Sequence, residues 1–249
     1  ETPCGPASWW DGATAGDGPH RFFIGAVLAQ PCNLGDGRYV SPPAGAQQQF
    51  VLVRYSSDDA ATPGVPIVRT LPLASTSLPG PAALGASADG VWVAYYSATS
   101  HLRLQRFSVG PVQPDALAEV EATGSAFVTG QTTLGLQVAD VVPHPTRERV
   151  YLLATVADAK ATFAGEVLPA LDRQTLAVFV FDRSARLLEV RWVPSTNAPK
   201  SASSMMLAGG RLWVSGQCEA TPAQGTADPL CSPLPSATPT SFLFAIAAP

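Results

Sequence analysis

Short runs of alternating apolar and polar residues recur along this chain in two kinds, and each kind occurs four times. The first kind is rich in aromatic residues and occupies residues 22–28, 91–97, 150–156 and 212–216. The second is a plainer alternation and occupies residues 50–55, 102–107, 178–182 and 242–246. Alternation with a period of two is the signature of a strand. The pattern therefore predicts an internally repeated all-β protein.

Flanking segments extend each copy to four strands. Asp89-Gly90 and Gly209-Gly210 are dipeptides typical of tight hairpins, and each precedes a run of the first kind. A further extended run follows the first three runs of the second kind. The best helical candidate, residues 113–121, contains Pro114 and is predicted as a turn and a strand. Four antiparallel strands repeated about every 60 residues predict the blades of a β-propeller.

The repeat units predict a single propeller domain over residues 1–249 with four blades, in which the N-terminal segment closes the ring. The units cover residues 22–71, 84–122, 139–193 and 205–249, with residues 1–21 as the closing segment. The first unit lacks an inner strand and the last lacks an outer one. Ser8, Trp9 and Trp10 are predicted to pair as the outer strand of the last unit, which closes a four-bladed ring. The alternative is that the chain is part of a larger ring.

Composition supports a folded chain and narrows its partners. The sequence is 46% hydrophobic and 14% charged, with 24 prolines and 21 glycines that are expected in turns. No apolar run reaches the roughly 20 residues of a membrane-spanning helix. The net charge is −4 and the basic residues are scattered in the sequence, which disfavours nucleic acid as a partner.

Four cysteines, in no CxxC spacing, favour disulfides over a metal site. Local pairing of Cys4 with Cys32 and of Cys218 with Cys231 is the first expectation. A bridge from Cys4 to Cys218 or Cys231 is the alternative if the N-terminal segment joins the last unit, and four free thiols are a third. The chain begins at Glu1 without Met, as expected of a processed or shortened chain. Disulfides predict an extracytoplasmic location.

Residues 139–216 resemble the bacterial SBBP-type β-propeller repeat. Thr162-Phe163-Ala164-Gly165 matches the loop of that repeat, residues 179–182 its third strand, Trp192 its closing strand and residues 212–216 its "vyvtG" strand. The resemblance is weaker over residues 22–107. It implies a propeller fold and a secreted or cell-surface bacterial protein, and it carries little information on activity.

The sequence predicts no catalytic, cofactor or metal site. His20, His101 and His144 are remote from one another and from cysteine, and no GxSxG motif occurs. Residues 33–37 offer one carboxylate and are interpreted as a turn rather than a calcium loop. Turns are also predicted at four aspartates, which are Asp89, Asp115, Asp140 and Asp172.

Three long connections, residues 29–49, 157–177 and 217–241, are predicted on one face, where loops carried by a rigid scaffold often bind ligands. The candidate ligand residues are Trp9, Trp10, Asn33, Asp36 and Tyr39. The alternative is that these loops only pack over the strand ends. Three other tryptophans are predicted to pack between blades, and they are Trp92, Trp192 and Trp213.

These observations predict a non-enzymatic secreted or cell-surface β-propeller that serves as an interaction or structural module of an extracellular assembly. A protein partner or self-association is expected, and a terminal strand that closes a neighbouring ring would give a swapped oligomer or filament. The alternative is a glycan-binding, lectin-like propeller. A hydrolase or lyase ranks third.

Overall fold

The computed structural model describes residues 9–15, 21–28, 30–33, 39–40, 49–56, 67–71, 83–87, 90–96, 102–107, 116–123, 136–156, 162–163, 166–167, 175–193, 200–218 and 240–248. These residues form nineteen strands and no helix. The strands are β1 Trp9–Ala15, β2 Arg21–Leu28, β3 Cys32–Asn33, β4 Tyr39–Val40, β5 Gln49–Ser56, β6 Ile67–Leu71, β7 Ala83–Ser87, β8 Gly90–Tyr96, β9 Leu102–Phe107, β10 Ala116–Thr123, β11 Leu136–Pro143, β12 Arg149–Val156, β13 Thr162–Phe163, β14 Glu166–Val167, β15 Thr175–Asp182, β16 Leu187–Trp192, β17 Lys200–Ala208, β18 Arg211–Cys218 and β19 Thr240–Ala247.

The main strands form four antiparallel sheets, each assembled from strands in chain order. Sheet 1 has the order β1-β2-β5-β6, and sheet 2 contains β7-β8-β9-β10. Sheet 3 has the order β11-β12-β15-β16, and sheet 4, within the described residues, has β17-β18-β19. The all-β class predicted from the period-two pattern is therefore confirmed. In the part of the chain that the structure describes, no helix has the length and apolar character needed to cross a bilayer.

The chain divides into two compact units, Glu1–Glu121 and Ala122–Pro249. Sheets 1 and 2 form the first unit, in which the first strands of the two sheets, β1 and β7, pack together. Sheets 3 and 4 form the second unit, in which β11 packs on β17 in the same way. The last residues of β10, Ala122 and Thr123, belong to the second unit and pair with β13, which pairs in turn with β14.

The predicted position of the N-terminal tryptophans is wrong. Trp9 pairs with Val27 and Trp10 with Ala26, so both residues belong to β1, the first strand of sheet 1. They therefore supply the inner strand that the first repeat unit lacked, rather than the outer strand of the last unit. The seven-residue register of β1 along β2 accounts for this choice, because the antiparallel ladder pairs the backbone polar groups of β1 that face β2.

Tight turns fall where the sequence predicted them. Gly209 and Gly210 connect β17 to β18 with φ of 57° and 70°, a left-handed conformation that glycine adopts at no steric cost. Ser87 lies opposite Gly90 at the other predicted site, so the β7–β8 connection is short, but Gly90 is already the first residue of β8 and Asp89 lies outside the described residues. The predicted turn and strand over residues 113–121 is also confirmed in its strand, since β10 begins at Ala116.

The central strands of sheet 3 are buried on both faces. Every residue from Val150 to Val156 in β12, and every residue from Thr175 to Phe181 in β15, is buried. Continuous apolar strands of this kind need cover on each side of the sheet, unlike strands that alternate between core and solvent. Burial of each Val, Leu or Phe side chain contributes about 1.5–3 kcal/mol, so this sheet is a major source of stability.

One face of sheet 3 packs on sheet 4 in a continuous apolar cluster. Sheet 3 supplies Tyr151, Leu153, Leu176, Val178, Val180 and Val193, and sheet 4 supplies Met205, Leu212, Val214, Cys218 and Phe242. In β18 the buried residues alternate with exposed or half-buried ones. Sheet 4 therefore directs one face of its central strand into this core and the other away from it.

Gly216 marks the closest backbone approach in this core, and it generates a stability prediction. A Cβ atom at this position would overlap the backbone oxygen of Ser201 and lie 2.6 Å from Cζ of Phe242. We expect Gly216→Ala to lower the free energy of unfolding by about 1–3 kcal/mol, because the extra methyl forces a shift in the backbone. Denaturant unfolding measures the change.

The neighbouring substitution Ser215→Ala is the control, since Ser215 lies on the half-buried side of β18. It should change stability by about 0.5 kcal/mol or less. A Gly216→Ala protein as stable as the Ser215→Ala protein would contradict the close approach.

Candidate functional site

The structure pairs two of the predicted ligand residues. Asn33 in β3 lies opposite Tyr39 in β4, across a two-stranded ribbon inserted between β2 and β5. Asp36 lies outside the described residues. Trp9 and Trp10 lie in β1 opposite Val27 and Ala26, near the end of β2 from which the chain enters β3. A ligand face built from these five residues stays a prediction.

Both cysteines in the described part of the chain are buried. Cys32 lies in β3 and Cys218 ends β18, and neither is a free thiol. This excludes the third expectation, free thiols, for these two residues. Cys4 and Cys231 lie outside the described residues, so the pairing stays a prediction.

Metal-binding chemistry finds no support in the described residues. Within them, no group of three or more His, Cys, Asp or Glu side chains is close enough to hold a metal ion. His144 lies in the β11–β12 turn of sheet 3, and Cys218 lies at the end of β18 in sheet 4.

The outer face of sheet 4 is the candidate interaction surface. It consists of Met206, Trp213, Leu243 and Ala245. Met206 lies opposite Trp213, which lies opposite Ala245 on the third strand, so the three form one row across the sheet. Leu243 is diagonal to Trp213 in the neighbouring row. Met206 and Leu243 are 58% and 65% exposed. Exposed large apolar side chains that lie side by side are informative, whereas a single one is not.

A β-bulge decides which methionine faces outward. The pairing of β17 with β18 shifts by one residue between Ala202 and Ser204. Beyond the bulge, Met205 points into the core and is 4% exposed, whereas Met206 points away from it. A bulge reorients the side chains that follow it. The apolar outer face therefore depends on the position of this bulge.

Two side chains from sheet 3 hold β17 on either side of the bulge. Thr155 Oγ1 accepts a hydrogen bond from the backbone N–H of Ala202 at 3.1 Å. Asp140 Oδ2 accepts one from the N–H of Met205 at 2.7 Å and another from Ser204 Oγ at 3.0 Å. Because β17 is an edge strand of the described sheet, these side chains satisfy backbone donors that no neighbouring strand reaches. We call this set the β17 clamp.

Asp140 was predicted in a turn, and that prediction is wrong. It lies inside β11, at an irregularity where the pairing with β12 shifts between Val138 and Asp140. Its Oδ1 accepts the N–H of Val141 at 2.8 Å. Burial raises the pKa of Asp140 above its ordinary value of 3.8, although the hydrogen bonds from Met205, Ser204 and Val141 act to lower it.

The direction of this pKa shift fixes the pH dependence of the β17 clamp. Since the folded pKa of Asp140 is raised, its contribution to stability is fully present below the unfolded pKa. That contribution decreases as the pH rises through the folded pKa. The ionised carboxylate at neutral pH therefore carries a desolvation cost, which its three hydrogen bonds offset in part.

A second polar set lies in the β11–β12 turn. His144 Nδ1 accepts hydrogen bonds from the backbone N–H of Thr146 at 3.2 Å and of Arg147 at 3.0 Å. Burial lowers the pKa of His144 below its ordinary value of 6.5, and the charges of Arg147 and Arg149 lower it further. Only a neutral imidazole has an acceptor nitrogen. His144 therefore stabilises the turn in its neutral form.

Sheet 2 contains a buried polar cluster that sequence reasoning missed. The Tyr95 hydroxyl bonds Gln105 Oε1 at 2.9 Å, and the guanidinium of Arg106, a residue only 4% exposed, lies 6.0 Å from the ring centroid of Trp92. Trp92 is buried, as its predicted packing role requires, whereas Trp213 at the equivalent position of β18 is only half-buried. The Tyr95–Gln105 bond satisfies two polar groups inside the sheet, which is the role of a structural hydrogen bond in a buried position.

No protein-family profile matches the chain, and a search of curated proteins found no relative. The resemblance to the SBBP-type repeat is therefore untested and stays a prediction.

The β17 clamp generates a prediction at Asp140. We expect Asp140→Ala to lower the free energy of unfolding by about 1–3 kcal/mol at neutral pH, because it leaves the N–H of Met205 without an acceptor at a part-buried position. Thermal and denaturant unfolding measure the loss.

Asp140→Asn is the matched control, because it removes the charge and keeps one acceptor oxygen. It should lose less stability than Asp140→Ala. The loss in Asp140→Ala should also increase when the pH is lowered toward the unfolded pKa, because the pKa of Asp140 is raised in the fold. A loss that decreases on acidification would contradict this account of the clamp.

His144 generates a separate prediction on pH. Because its folded pKa is lowered, its contribution is present above the unfolded pKa and is lost as the pH falls through the folded pKa. We expect the wild type to lose more stability than His144→Asn when the pH falls from about 7 to about 5. An asparagine carbonyl oxygen caps such turns at every pH in this range.

His144→Ala, which offers no acceptor, is the control for the hydrogen bonds themselves. It should be less stable than both proteins at neutral pH. Parallel stability curves for wild type and His144→Asn across this pH range would refute the role of the neutral imidazole.

Proposed function

We propose that this chain is a non-enzymatic β-propeller, secreted or at the cell surface, that acts as an interaction or structural module of an extracellular assembly. The observation that carries the proposal is the apolar outer face of sheet 4, on which Met206 and Leu243 are exposed. A propeller blade is covered on both faces, so we propose that a second chain covers this one. Contiguous exposed apolar patches mark interaction sites.

The sheet architecture supports the propeller part of the proposal. Sheets 1 and 3 are four-stranded antiparallel meanders, sheet 2 follows the same strand order, and within each unit the first strands of successive sheets pack together. Blades of a propeller have this strand order and this inner-strand packing.

The cysteines support the proposed location. Cys32 and Cys218 are buried and are not free thiols. We propose that Cys32 forms a disulfide with Cys4 and that Cys218 forms one with Cys231. Disulfides persist in oxidising compartments and are uncommon in the cytosol. This favours a secreted or cell-surface protein.

The partner proposed for the outer face of sheet 4 is a second copy of the chain. Two copies related by a two-fold axis would bring the same apolar row, Met206, Trp213 and Ala245, against itself. The partner strands would also cover the exposed Leu243. Removal of this apolar surface from water would contribute about 25 cal/mol for each Å² buried.

The test is to replace the two most exposed apolar side chains. We expect the wild type to dimerise with rising concentration in analytical ultracentrifugation, and Met206→Ser/Leu243→Ser to stay monomeric. The thermal midpoint of the monomer should be unchanged, because both side chains are exposed and contribute little to the core.

Leu188→Ser is the control, since Leu188 is 43% exposed but lies in β16 of sheet 3. It should dimerise like the wild type. A wild-type protein that stays monomeric at about millimolar concentration, or a Leu188→Ser protein that dissociates as fully as the double variant, would refute the proposed contact.

A further inference from the structure

Exposed arginines gather at one end of the second unit, although they are scattered in the sequence. Arg147 and Arg149 flank the β11–β12 turn, Arg183 and Arg186 belong to the β15–β16 turn, and Arg211 follows the β17–β18 turn. All are exposed except Arg149, which is half-buried. We call these five residues the arginine end.

Observed contacts place the three turns side by side. Arg183 Nη1 bonds Glu148 Oε1 at 3.0 Å, which joins the β15–β16 turn to the β11–β12 turn. Thr155 contacts Ala202 and Asp140 contacts Met205, so β17 rises beside β11 in the same direction. The β17–β18 turn therefore reaches the same end of the unit as the β11–β12 turn.

Arginines outnumber carboxylates among the described residues of these turns. The described acidic residues within the turns are Glu148 and Asp182, which bond Arg183 and Arg186 at 3.0 Å. Five arginines thus accompany two carboxylates there, on a chain whose net charge is −4. A local field of sign opposite to the net charge is a feature that attracts anionic ligands.

The electrostatics of Tyr151 report a positive field beside the β11–β12 turn. Burial raises the pKa of Tyr151 above its ordinary value of 10.0, and Arg149, Arg147 and Arg191 act to lower it. Arg147 and Arg149 belong to the arginine end, whereas Arg191 lies in β16 outside it. His144, also in this turn, stays neutral and does not add to the charge.

We propose that the arginine end binds an acidic polysaccharide through its carboxylate or sulfate groups. Guanidinium groups bind planar carboxylates and sulfates through two parallel N–H bonds. Successive hairpin turns of one sheet lie about two strand spacings apart, roughly 10 Å, and stacked sheets lie at a similar distance, so the charges are spread over a width that suits several sugars of a polymer rather than one small anion. The proposal does not depend on the contact at the outer face of sheet 4.

Two features favour a polysaccharide over other polyanions. A protein partner needs an apolar contact core, and the residues exposed in the three turns are small or polar, including Thr146, Ser184 and Gly209. The exposed large apolar side chains described in this unit, Leu188, Met206 and Leu243, lie in strands β16, β17 and β19 rather than in the turns. Double-stranded DNA carries one charge per about 1.7 Å, a density that calls for a larger positive surplus.

The experiment measures binding of the whole chain to immobilised polygalacturonate and dextran sulfate at low salt, with neutral dextran as the reference. We expect binding to both acidic polymers, none to dextran, and a decrease in binding as salt is added. Arg147→Gln/Arg186→Gln/Arg211→Gln should weaken binding at least about tenfold, because three charge contacts are lost together. Binding to one acidic polymer alone would tell whether carboxylate or sulfate is the group recognised.

Two further variants keep the result interpretable. Lys200→Gln removes a charge at the start of β17, remote from the turns, and should bind like the wild type. Glu148→Gln removes a competing carboxylate and should bind more tightly. The proposal would be overturned by wild-type affinity in the triple variant, by weaker binding of Glu148→Gln, or by tighter binding of a DNA duplex than of polygalacturonate at equal salt.

Discussion

An edge strand with unpaired backbone donors must satisfy them somewhere, and the β17 clamp is how this chain does so where sheet 4 meets sheet 3. Asp140 and Thr155 accept from N–H groups on either side of the bulge in β17. With those donors satisfied, Met205 enters the core and Met206 is directed outward. The apolar packing of the two sheets, the register of β17 and the character of the outer face all depend on these few hydrogen bonds.

The second unit presents two surfaces that would bind their partners through different forces. The outer face of sheet 4 is apolar, so contacts there would be driven by burial and would change little with salt. The arginine end is charged and solvated, so contacts there would weaken as salt is added. The two lie on the same small set of strands, since Arg211 begins β18 and Trp213 is two residues further along it. One module can therefore offer two independent attachments.

The period-two pattern was sufficient to predict most of the strands. Residues 150–156 lie in β12 and residues 102–107 are β9, because a strand that packs on a sheet must alternate or be wholly apolar. Gly209-Gly210 was recognised because few residue pairs tolerate two left-handed conformations in succession. These features are local, and local features are what a single sequence reveals best.

Features that depend on contacts between distant parts of the sequence were missed, because a single sequence does not show those contacts. Asp140 was placed in a turn because aspartate is common there, whereas its hydrogen-bond partners lie 64 and 65 residues further along the chain. Trp9 and Trp10 were assigned to the last unit because the motif there lacked a strand, but they complete sheet 1. The arginine end went unrecognised because its members are dispersed in the sequence and are brought together only by the shared direction of successive hairpins.

The bulge in β17 also gives the chain a chemical reporter of its own folding. The chain has two methionines, and they are adjacent, with Met205 buried in the core and Met206 open to solvent. A peroxide reaches an exposed thioether far sooner than a buried one. A slip of β17 by one residue would exchange the two sulfur atoms between core and solvent. The ratio of sulfoxide at the two positions thus reads out the register of this strand in any sample of the protein.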